Sequence, residues 1–125
     1  MITLDTNHLL RHVLQDDPKQ CQKVSTLLQE QAEAGGPLLI LDLVVMETCW
    51  VLMKVYGLDA SEWAHVLESL LSDSAFTFED SSKLRHAVNL YQSGKADFND
   101  YLILATAQSQ GATLETFDKE LRESM

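Results

Sequence analysis

Apolar residues occur along the chain in two alternating patterns, short clusters and longer runs with helical spacing. Four short runs bounded by polar residues, at 2–4, 38–41, 76–78 and 113–116, have the length of buried strands. Between them the spacing predicts helices. Two, over 8–14 and 19–34, follow the first strand, and Asp17-Pro18 is a helix start because proline suits the first helical position. Two more, over 43–56 and 61–71, follow the second strand, with Gly57 ending one and Asp59 or Ser61 opening the next. Helices over 80–91 and 98–109, divided at Ser93-Gly94, follow the third strand, and a short one over 118–123 follows the fourth. Strands that alternate with helices call for a parallel sheet covered on both faces. Ligands of such sheets bind beyond the carboxyl ends of the strands, which directs attention to Asp5.

Composition bounds this picture. The 125 residues suit one domain over 1–125, and the Gly35-Gly36-Pro37 cluster is short enough to be a loop. With 46% hydrophobic and 22% charged residues the chain is globular, and a chain of this size can build a core without staples. Nineteen acids against nine Lys and Arg give a net charge of −10, which excludes attraction to nucleic acid through a broad basic surface. Cys21 and Cys49 have no metal-ligand spacing and read as buried thiols of a cytosolic protein. The N-terminal residues lack the pattern of a leader, and the uncharged stretch 101–114 is too short and polar to span a bilayer. A cytoplasmic protein is the expectation.

The carboxylates are the candidate chemistry. Asp5 reads either as a helix N-cap or, with Thr6 and Asn7, as part of an oxygen-rich group able to hold a hard cation. Glu47 lies in a run, 43–53, that looks apolar nearly all round and hence buried, where a carboxylate is costly unless paired, hydrogen-bonded or bound to a metal. Asp97 and Asp100 open an apolar helix, where an N-cap and a dipole-favoured first-turn acid are a strong ordinary explanation, yet their spacing of three also puts both on one face. Thr116 could cap the last helix, with Asp118 as an acid favoured by its dipole. His8 and His12 have the i, i+4 spacing of a zinc pair but lack the intervening Glu and a third ligand, so they read as surface histidines. Trp50 and Trp63, with Met46 and Met53, fall at core-like helical positions.

Four segments in order, Leu-Asp5-Thr6-Asn7, Val-Met-Glu47-Thr-Cys-Trp-Val-Leu, Ala-Asp97-Phe-Asn-Asp100-Tyr-Leu-Ile and Thr116-Phe117-Asp118-Lys119, resemble the PIN-domain family, specifically its VapC-like toxin ribonucleases of toxin–antitoxin pairs. The resemblance covers essentially the whole chain. It implies an α/β fold, a three-layer α/β/α domain with a parallel sheet of four or five short strands. It also implies an acidic quartet of Asp5, Glu47, Asp100 and Asp118, with Asp5 and Asp100 as metal ligands and Glu47, Asp97 and Asp118 as further candidates. Thr6, Asn7 and Thr116 would support carboxylates or water. The activity implied is Mg²⁺- or Mn²⁺-dependent endoribonuclease, the substrate RNA, and the partners a second copy and a cognate antitoxin.

Elementary electrostatics agrees with a metal. Two unit charges ~4 Å apart repel by about 1 kcal/mol in water and about 4 kcal/mol at an effective dielectric of 20, so converging carboxylates favour a divalent ion among them. Two other classes compete. A haloacid-dehalogenase-type phosphatase also places an Asp after its first strand but needs a second Asp where this chain has Asn7. The other is a non-enzymatic acidic interaction module.

Overall fold

The computed structural model describes residues 1–125. Seven helices and two strands form in the order α1 (Thr6–Leu14), α2 (Pro18–Ala34), β1 (Leu38–Ile40), α3 (Asp42–Lys54), α4 (Ala60–Ser72), β2 (Phe76–Phe78), α5 (Ser81–Ser93), α6 (Phe98–Ser109) and α7 (Lys119–Glu123). Local chemistry accounts for most of the boundaries. Asp17 Oδ1 accepts from the backbone N–H groups of Lys19 and Gln20, with Pro18 at the first helical position of α2. Asp59 and Glu62 form a reciprocal capping box that starts α4. Gly35 ends α2 at φ 81°, a left-handed conformation that costs glycine little.

β1 and β2 are parallel, with Leu38, Leu39 and Ile40 opposite Phe76, Thr77 and Phe78. The N-terminal segment lies along the other side of β1 through one parallel bridge, Thr3 to Leu39. Leu39 donates its N–H to Ile2 O, and Leu4 returns one to Leu39 O. The sheet therefore holds two strands and a bridge where four or five strands were expected. Residues 113–116 form no strand. Of Thr113, Leu114, Glu115 and Thr116 only Leu114 packs against the core, too little apolar surface for a strand covered on both faces.

Twenty-five buried side chains form one core, with Trp63, Tyr101, Phe98, Leu38, Ile40 and Leu67 among its innermost members. Trp63 and Tyr91 both meet Phe98 edge to face. Cys21 and Cys49 are buried free thiols, as expected. Asp42 at the start of α3 pairs with Lys83 on α5, and both side chains are largely buried. No helix is long and apolar enough to cross a membrane.

The burial of α3 differs from its apolar sequence. Val44, Val45, Thr48, Cys49 and Leu52 face the core, whereas Leu43, Glu47, Trp50 and Lys54 recur at helical spacing on a face left in solvent. Trp50 is 56% exposed, so of the two tryptophans only Trp63 is a core residue. Glu47 is exposed too, and its carboxylate carries no burial cost.

Candidate active site

Each candidate acid stands at or near a helix start or on the outward face of α3. Asp5 is the N-cap of α1: its Oδ1 accepts the backbone N–H of His8 at 3.0 Å and lies 2.8 Å from His8 Nδ1. The backbone N–H of His8 foremost, and then its imidazole, hold the Asp5 carboxyl below the ordinary carboxylate value. The capping reading of Asp5 is thus correct, and its second oxygen stays free for a ligand. His8 serves Asp5, while His12 is half-buried edge to face on Phe76; the two histidines do not act as a pair.

Asp5, Thr6 and Asn7 line an open cleft of ≈ 460 Å³ with Arg11 on α1 and Glu47 on α3. The structure therefore brings together the first and second acidic segments. The adjoining face of α3 lines a smaller cleft of ≈ 110 Å³, where Trp50 and Lys54 meet Asp97, Asn99 and Asp100.

Asp97 has the backbone conformation of an N-cap for α6, but its side chain makes no capping hydrogen bond. Its carboxylate is unspent. Asp100, one turn on, is half-buried, and burial first, then the negative charges of Asp97 and Asp118, push its pKa up against a smaller pull from the Asp97 backbone N–H. Asp118 itself caps α7 by accepting from Leu121 N at 3.2 Å, and the Thr116 hydroxyl accepts from Asp118 N at 3.0 Å. The expected roles are exchanged: Asp118 is the cap and Thr116 holds its backbone.

The start of α6 is fixed from within the core. The hydroxyl of Tyr101, itself fully buried, accepts the backbone N–H groups of Lys95 at 3.0 Å and Ala96 at 3.2 Å. Gly94 permits this approach, since a Cβ there would lie 1.8 Å from the Tyr101 oxygen. Asn99, between the two acids, is a residue that sequence pattern did not single out. Its Oδ1 is buried with no hydrogen-bond partner, a feature that only coordinates reveal because Asn in a first helical turn is otherwise ordinary.

The candidate acids thus fall into two groups: Asp5 with Glu47 in one cleft, and Asp97 with Asp100 in the other, with Asp118 close enough for its charge to act on Asp100. No group of three or more His, Cys, Asp or Glu side chains is spaced to hold a metal ion.

A family model for the PIN domain matches residues 2–124. No curated protein and no solved structure gives a significant match. PIN domains are typically nucleases and commonly use divalent metals. A match over residues 2–124 takes in every acid placed above, from Asp5 to Asp118, and the chain belongs to the PIN-domain family.

Proposed function

We propose that the chain is one PIN-like nuclease domain over 1–125, a divalent-metal-dependent endoribonuclease and the toxin component of a cytoplasmic toxin–antitoxin pair. The observation that carries this reading, beyond family membership, is the gathering of like charge at the start of α6. Asp97 leaves its carboxylate uncapped, and burial first, then Asp97 and Asp118, make ionisation of Asp100 harder. Local negative charge of this kind, in a chain already at −10, is relieved by a cation.

The donor set is all oxygen and suits Mg²⁺ or Mn²⁺. Asp5 and Asp100 would be principal ligands, with Glu47, Asp97 and Asp118 as further ones. Holding one ion would require these side chains to draw together, since no three of them stand at ligand spacing in this structure. A divalent ion held there supplies positive charge and Lewis acidity to a phosphodiester. The chain's own residues do the rest of the positioning. Thr6 and Asn7 offer hydrogen bonds along the cleft beside Asp5, and Thr116 keeps Asp118 in place.

The exposed apolar side chains Leu43, Trp50, Ile103 and Phe117 support a partner surface, for a second copy or an antitoxin. Neither the phosphatase nor the non-enzymatic alternative gains support from the family match. The test is incubation of the purified protein with labelled single-stranded RNA and, separately, with a phosphomonoester, in Mg²⁺ or Mn²⁺ and in chelator. Internal cleavage of RNA that chelator abolishes supports the proposal, and release of phosphate from the monoester without RNA cleavage overturns it.

A further inference from the structure

We propose that the cleft between α1 and α2 is a subsite for a backbone phosphate of the RNA strand, next to the cutting site. The inference rests on the ribonuclease reading and says where an acidic chain grips its substrate. Asp5, Asn7, His8, Arg11, Gln20 and Lys23 line this ≈ 280 Å³ cleft. Asp5, Asn7 and Arg11 also line the larger cleft that holds Glu47, so the two adjoin.

The donors in the lining suit a phosphate. Of the Lys and Arg residues only Arg11, with Asp16, and Lys83, with Asp42, are paired to a carboxylate; Lys23 is exposed and unpaired, and unlike the other unpaired cations it lines this cleft. Asp16 accepts from Arg11 Nη1 at 3.0 Å, which holds the guanidinium in place; Nε is buried without an acceptor, and Nη2 is the donor left for a ligand. Asn7 and Gln20 add amide donors. Two of the chain's nine Lys and Arg residues therefore face one cleft beside Asp5, despite the net charge of −10. Phosphate contacts position a strand without reading its sequence, and a contact here would set the register of the RNA relative to the acids.

Lys23→Glu is the informative change, because the site is exposed on α2 and Glu has a helix propensity close to that of Lys. Binding of a fluorescein-labelled single-stranded RNA 12-mer is measured by anisotropy at several KCl concentrations, in the Asp100→Asn background with Mg²⁺ so that cleavage does not interfere. Arg85→Glu on the exposed surface of α5 makes the same change in net charge away from the cleft. Lys23→Glu is expected to weaken binding about fivefold and to reduce the slope of log K against log salt by about 0.7. Lys23→Arg retains binding, and Arg85→Glu has little effect. In the cleaving protein, Lys23→Glu raises KM and leaves kcat nearly unchanged. Equal losses in Lys23→Glu and Arg85→Glu, or no loss in either, overturn the subsite while a protein that still cuts RNA keeps its nuclease assignment. Absence of both RNA binding and RNA cleavage in the unmutated chain overturns the subsite and the nuclease reading together.

Discussion

Replacing Asp100 by Asn separates function from stability. Asp97 and Asp100 bear charges close enough to interact, and two such charges about 6 Å apart would repel by roughly 0.7 kcal/mol in water and roughly 2.8 kcal/mol at an effective dielectric of 20. Asp100 is half-buried and Asp97 exposed, which places the pair between those limits, and Asp118 adds to the repulsion. Loss of a carboxylate from the first turn of α6 removes a favourable dipole interaction of about 0.5 kcal/mol. The balance is a stabilisation of about 1 kcal/mol, or a Tm rise of about 4 °C for a chain of this length. The pH dependence has a definite sign. Because the folded pKa of Asp100 is raised, its ionised form destabilises the fold above that raised value, and the penalty fades as pH falls towards and below the ordinary 3.8. Melts of both proteins followed by circular dichroism in chelator should show Asp100→Asn the more stable at neutral pH, with the gap closing in acid. Mg²⁺ should raise the Tm of the unmutated protein more than that of the variant. A variant that melts lower at neutral pH, or an equal Mg²⁺ shift in both, would refute the reasoning.

Other substitutions follow from the same contacts. Asp5→Asn keeps an oxygen for the His8 N–H and should leave the Tm nearly unchanged while cleavage falls, whereas Asp5→Ala also removes the cap and should cost about 1 kcal/mol in a urea melt. Lys83→Ala strands the largely buried Asp42 carboxylate, one oxygen of which already has no partner, and is expected to cost about 3 kcal/mol by urea denaturation without a specific effect on RNA binding. Tyr101→Phe deprives the Lys95 and Ala96 N–H groups of their shared acceptor; a loss of about 1–2 kcal/mol in stability, with a lower kcat from a loosened start of α6, is expected in melting and cleavage assays.

The helices were legible in the sequence because their ends carry explicit chemistry. Asp17-Pro18, Asp59 as one of two candidate starts, and the predicted span 98–109 all find counterparts in α2, α4 and α6. Sheet content was harder to read. A three-residue apolar run such as 2–4 satisfies the strand pattern, yet Ile2 is 39% exposed and the segment makes only one bridge. Composition also misplaced Glu47, since a helix rich in Leu, Val, Met and Trp does not announce that Leu43 and Trp50 face outward with it. For the site, order along the chain indicated the acids but not their grouping. That Asp97 leaves its cap position unused, that Asp118 takes one, and that Asn99 is buried unpaired depend on side-chain geometry, which pattern does not encode.

Single-turnover cleavage of end-labelled RNA by the unmutated chain and by Asp100→Asn, side by side in Mg²⁺ or Mn²⁺, tests the central claim most directly. Internal cleavage that requires the metal and falls at least about 10²-fold in the variant, comparable to the loss of one electrostatic group in a catalytic site, is the predicted result. Cleavage at equal rates by the two proteins, or none by the unmutated chain in either metal, would contradict it.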